Sequence, residues 1–128
     1  VEVPKELLYT PKHMWVRIEE ERAVIGLTDY AQLEMGMVVF ADLPQEGDEV
    51  TAGDYLGSME TVTDESELFA PLSGKVVSAN WLLRKEPHFI NRFPYGSGWL
   101  FVMEYNNPEE LELLWTAERY AEIYHAQE

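Results

Sequence analysis

Tyr55-Leu56-Gly57-Ser58-Met59-Glu60-Thr61-Val62-Thr63-Asp64-Glu65-Ser66-Glu67-Leu68-Phe69-Ala70 reads as a β-hairpin. Tyr55 to Glu60 and Glu67 to Ala70 are the two strands, and Thr61 to Ser66 form a polar tip. The flanks repeat the pattern. Upstream, Gly47-Asp48 and Gly53-Asp54 mark turns, and downstream Pro71-Leu72-Ser73-Gly74 is a turn before a strand over Lys75 to Ala79. Met14 to Ile18 and Arg22 to Leu27 predict another hairpin across the polar turn Glu19 to Glu21. Thr28-Asp29 predicts a helix start, with a hydroxyl cap and a carboxylate at the positive dipole end. That helix runs through Tyr30 to Met35 and stops at Gly36, before a strand over Met37 to Leu43. Pro87 to Asn91 predict one helical turn with Pro at its first position, and Trp99 to Tyr105 a last strand. At the end, Asn107-Pro108-Glu109-Glu110 predicts a capped helix with Leu111, Leu114 and Trp115 on one face. Thr116 then caps a second helix with Tyr120, Ile123 and Tyr124 on its apolar side. The fold class is mainly β with C-terminal helices, and the strand spacing suggests a sandwich or barrel.

Composition narrows the function. The chain has 128 residues, 24 Asp plus Glu against nine Lys plus Arg, and a net charge of −15. One domain of this size buries roughly two thirds of its unfolded surface, enough for a core without staples. A balance this acidic disfavours nucleic acid and anionic membranes. The absence of Cys excludes disulfides and thiolate metal sites. Disorder is disfavoured at 46% hydrophobic and 12% aromatic residues. No apolar run approaches the ~20 residues of a membrane span, and Val1 to Pro11 holds no apolar signal region, so the expected location is cytoplasmic.

No catalytic pattern emerges. His13, His88 and His125 are scattered, with no second ligand at helical spacing. Ser58 in Gly57-Ser58-Met59 lacks the second Gly of a nucleophile elbow. Asp64, Glu65 and Glu67 do not fit a calcium loop and read as a solvated face. These residues point to a binding or carrier module rather than an enzyme.

Several segments together carry a resemblance. They include Tyr9-Thr10-Pro11-Lys12-His13-Met14-Trp15-Val16, Ile25-Gly26-Leu27-Thr28-Asp29-Tyr30-Ala31-Gln32 and Gly36-Met37-Val38-Val39-Phe40-Ala41-Asp42-Leu43-Pro44. Further along stand Glu60-Thr61-Val62, Pro71-Leu72-Ser73-Gly74-Lys75-Val76-Val77, Asn80 and Asn91-Arg92-Phe93-Pro94-Tyr95-Gly96-Ser97-Gly98-Trp99-Leu100. In order and spacing, over about residues 8 to 125, the chain resembles the H-protein of the glycine cleavage system. The resemblance implies a single lipoyl-type domain over 1–128, with a β core at about 8–105 and C-terminal helices at 107–125. Its implied form is a barrel-sandwich hybrid, the lipoyl/biotinyl-type hammerhead, flanked by short helices. It implies lipoate on a Lys at a hairpin tip, an arm that carries an aminomethyl group from glycine decarboxylase to aminomethyltransferase. Dihydrolipoyl dehydrogenase and lipoyl-attachment enzymes are the other implied partners. A tethered arm works by raising effective concentration at each active site.

One departure matters most. Where the family's tip reads Glu-Ser-Val-Lys, this chain has Glu60-Thr61-Val62-Thr63. Thr63 occupies the lipoyl-attachment position, and a hydroxyl cannot form the lipoyl amide, so no covalent cofactor is expected there. The nearest Lys in sequence, Lys75, falls in the next strand. Met14 and Tyr30 stand where the resemblance places an acid and often a His at the arm cleft. Met35-Gly36-Met37 and Phe93 also replace polar family positions. The first expectation is therefore a protein-binding or regulatory module without lipoate. Alternatives are a carrier with lipoate on another Lys, a deliberate replacement of the tip Lys, or an apolar small-ligand binder lined by Met14, Tyr30, Met37 and Phe93. The charge then reads as a docking surface on the hairpin and on the C-terminal Glu109, Glu110, Glu112, Glu118, Glu122 and Glu128.

Overall fold

The computed structural model describes residues 1–124, so His125 and Glu128 lie outside the described residues. Two antiparallel sheets make the body. Strands β1 (Leu8–Tyr9), β2 (Met14–Glu19), β3 (Arg22–Leu27), β4 (Val38–Asp42), β5 (Glu49–Val50), β6 (Tyr55–Thr61), β7 (Glu65–Phe69), β8 (Gly74–Ala79) and β9 (Phe101–Tyr105) follow in chain order. The larger sheet runs β1-β2-β3-β9-β8-β5 and the smaller β4-β6-β7. Helices α1 (Asp29–Met35), α2 (Phe89–Arg92) and α3 (Ala117–Tyr124) decorate them.

Alternation in β2 and β3 explains how the layers stack. Met14, Val16, Ala23, Ile25 and Leu27 turn inward to a core shared with Met59, Leu68 and Leu72. Trp15 and Val24 point the other way and meet Leu7, Tyr9, Ala117 and Tyr120. Both faces of this region are thus covered, which is why β3 reads as a continuous apolar run. Trp15 is fully buried, and its indole Nε1–H donates to the Pro94 carbonyl at 2.9 Å. Gly57 marks a register shift in β6, where a Cβ would stand 2.1 Å from the Asp42 carbonyl oxygen. Only Gly lets β4 and β6 approach so closely.

The helix starting at Thr28 forms as its sequence predicts. Thr28 Oγ1 accepts from the Ala31 N–H at 3.1 Å, and Gly36 ends the helix at φ +86°. Other expectations change. The hairpin strands reach further than polarity suggests, because Glu60 pairs with Glu65 and the tip shrinks to Val62–Asp64. An exposed hairpin tolerates charge on its outer face, so polar side chains do not end the ladder. Pro87 precedes α2 rather than starting it, and Trp99 and Leu100 lie before β9.

The C-terminal segment departs most. Pro108–Leu113 is a 3-10 helix, and Asn107 makes no side-chain cap. The Glu110 carboxylate instead accepts from the Ser73 N–H and Ser73 Oγ–H, both at 2.7 Å. Trp115 leaves the helical face and bridges Tyr9 in extended form. On α3 the buried side is Ala117, Tyr120 and Ala121, while Ile123 is exposed.

Candidate functional site

The tip of the β6–β7 hairpin is held by its own short side chains. The Thr61 N–H donates to the Asp64 carbonyl at 2.9 Å, and the Asp64 N–H donates to Thr61 Oγ1 at 3.1 Å. Asp64 Oδ1 in turn accepts from the Glu65 N–H at 2.8 Å. Val62 and Thr63 are the two residues between these bonded partners, and Val62 is 83% exposed. Thr61, Val62 and Thr63 are all β-branched and stiff at χ1, so they suit an apex that projects from a rigid ladder.

A cleft of about 360 Å³ opens beside this tip. Thr61, Thr63 and the stretch Asp64 to Glu67 form one wall. Leu27, Ala31 and Met35 give an apolar floor, and Lys12, His13 and Glu34 complete the rim. The fold thus brings a lysine that is distant in sequence to the same cleft. Lys12 Nζ lies 5.2 Å from the Phe69 ring centroid, a cation–π contact with the hairpin itself. Lys75 lies in β8 as the sequence pattern placed it, opposite Glu49 and Glu104.

His13 is the most constrained residue of the rim. Its φ is +65°, a left-handed conformation fixed by two backbone bonds, His13 N–H to Thr10 O and Thr28 N–H to His13 O. Its ring packs on Tyr30 at 4.9 Å and on Tyr124 at 4.5 Å between centroids. Nδ1 meets the Tyr120 hydroxyl at 2.8 Å, and that hydroxyl meets Thr28 Oγ1 at 2.7 Å. Burial lowers the His13 pKa, and the nearby Glu34 carboxylate opposes this. Burial likewise raises the phenol pKa of Tyr120, and it pushes that of Tyr95 up to about 12.

Met14 and Tyr30, assigned to the arm cleft by resemblance, stand behind it. Met14 is 1% exposed and belongs to the inter-sheet core, between rim residue His13 and buried Trp15. Tyr30 packs with the outer aromatic cluster, next to floor residue Ala31. Met37 and Phe93 are exposed, so these four side chains do not converge on one pocket.

The arrangement matches known proteins over nearly its whole length. The family model described as "Glycine cleavage H-protein" matches residues 7–127. The chain belongs to the glycine cleavage H-protein family. The glycine cleavage system H protein of Geobacillus kaustophilus is 50% identical over 117 residues, 91% of this chain and 92% of that protein. Its counterpart from a second Geobacillus strain is 47% identical over 120 residues, 94% of each chain. The crystal structure of the glycine cleavage system H protein from Mycobacterium marinum superposes with a TM-score of 0.86 at 31% identity, covering 96% of this chain and 99% of that one. The mainly β, lipoyl-domain fold with its C-terminal helix is therefore the H-protein fold. H proteins are carriers and not themselves enzymes, and the family carries lipoate.

Proposed function

We propose that this H-protein-family chain works as a docking module without a lipoyl arm of its own. The observation that carries this reading is Thr63 at the exposed apex of the hairpin. Lipoate attaches through an amide, and Thr63 offers a hydroxyl with no long stem. The site as it stands does not fit the group at this position. What remains is a rigid, acidic hairpin that suits basic clefts on partner enzymes. Charge of this kind steers encounter and sets register more than it adds affinity. Glycine decarboxylase, aminomethyltransferase, dihydrolipoyl dehydrogenase and lipoyl-attachment enzymes are the proposed partners, in the cytoplasm. Among the described residues no helix is long and apolar enough to cross a membrane. The whole of 1–128 is proposed to act as one unit.

A second reading has one observation in its favour. Lys12 lines the same cleft as Thr63, with its amine against Phe69 at the foot of the hairpin rather than on the tip. In that reading lipoate is carried on Lys12 and the chain remains a carrier.

One experiment separates them. The chain is co-expressed with a lipoyl ligase and its intact mass measured, with Thr63→Lys processed in parallel. The docking reading expects no added mass on the native sequence and one lipoyl group on Thr63→Lys, mapped to position 63. A lipoyl group on the native chain overturns it, and peptide mapping to Lys12 establishes the second reading.

A further inference from the structure

The hydrogen-bonded chain that ends at His13 does not depend on whether the hairpin carries an arm. The groups form one line from helix α1 to the cleft. The Ala31 N–H donates to Thr28 Oγ1, Thr28 Oγ1 meets Tyr120 Oη, and Tyr120 Oη meets His13 Nδ1. Thr28 and Tyr120 are both fully buried, so neither hydroxyl proton has water as a fallback.

Two arrangements of protons run in a single direction along this line. In the first, the Thr28 hydroxyl donates to Tyr120, and Tyr120 donates to His13 Nδ1. Every buried proton then has an acceptor, and the neutral imidazole carries its own proton on Nε2. In the second, His13 Nδ1–H donates to Tyr120, and Tyr120 donates to Thr28. Thr28 Oγ1 then receives two hydrogen bonds, one from Ala31 and one from Tyr120. Its own proton has no partner among the contacts of that hydroxyl. Leaving a buried donor unsatisfied is the costlier choice. If His13 Nδ1–H and the Thr28 hydroxyl both donate to Tyr120, as a doubly protonated His13 also allows, the buried Tyr120 proton is left without a partner instead.

We propose that Tyr120 is a positioning residue that locks His13 as the Nε2–H tautomer, so that the neutral ring offers one fixed hydrogen-bond donor to the cleft beside the hairpin tip. The aromatic packing from Tyr30 and Tyr124 holds the ring plane, and the left-handed backbone at His13 fixes where the ring starts. Lys12 and Glu34 are the charged groups on the same rim. Facing an apolar floor, such a donor favours a ligand that brings an acceptor, such as a carbonyl oxygen or a sulfur. The C-terminal helix thereby takes part in the cleft although its Tyr120 does not line it.

The test is nitrogen-15 NMR of the histidine rings in the full chain, near neutral pH. The expected signature for His13 is a protonated Nε2 and an unprotonated Nδ1, with a preference on the order of tenfold. Tyr120→Phe should collapse that preference into a mixture, while Thr28→Ser, which keeps the hydroxyl, should preserve it. An Nδ1–H signal or an even mixture in the native protein overturns the proposal, whether or not Tyr120→Phe folds. An unchanged tautomer in a folded Tyr120→Phe variant also overturns the role given to Tyr120.

Discussion

His13 ties local strain, burial and pH dependence to a single side chain. Its folded pKa lies below the ordinary value of about 6.5 because burial disfavours the charged ring. The unfolded chain then binds more protons near that pH, so stability rises with pH across the window. The contribution is complete above about 6.5 and is lost as pH falls through the lower folded value. His13→Asn removes the titration while keeping a residue that tolerates the left-handed backbone. The drop in thermal midpoint between pH about 7.5 and about 5.5 should be smaller in His13→Asn than in the native chain. Equal slopes would place the titration elsewhere. None of this was legible in the sequence, where His13 stands alone, because Tyr120 lies 107 residues away. Thr63 was legible, since a hairpin tip is built from neighbours. Lys12 was not, because it joins the cleft only through the fold, which sets its amine on the Phe69 ring.

At the level of elements, strands and α1 followed from local pattern, and the C-terminal segment did not. The apolar run from Met14 to Ile18 and the cap at Thr28 act within a few residues, so tertiary contacts had nothing to override. The two-residue strands β1 and β5 are too short to carry a period and exist because neighbours offer hydrogen bonds. Asn107-Pro108-Glu109-Glu110 shows a helix signal recruited for another use, since Glu110 binds Ser73 rather than its own helix end. This difference predicts opposite mutational outcomes at the two positions. Glu110→Ala should cost about 1–2 kcal/mol, because two charge-assisted bonds at a half-buried site are lost. Asn107→Ala should stay within about 0.5 kcal/mol, since no cap bond is broken. Urea unfolding of both variants decides it. A larger loss at Asn107 than at Glu110 would restore the capped helix.

Across the whole molecule, a net charge of −15 on 128 residues must act on stability as well as on partners. Few cations are available to offset it. Arg17–Glu19 and Arg22–Glu104 are ion pairs among the described residues, both largely solvent-exposed and worth little. The remaining carboxylates repel one another over distances that salt controls. The screening length is about 30 Å at 0.01 M and about 8 Å at 0.15 M, so this ionic-strength step removes most long-range repulsion. The thermal midpoint should therefore rise over that step, whereas a protein limited only by its apolar core would barely respond. Association with a basic partner should move the opposite way, with a slower on-rate as steering is screened. A midpoint that falls with salt would mean that net attraction between charges holds the fold. An on-rate that ignores salt would remove the acidic hairpin from the docking reading, and leave its charge to serve solubility alone.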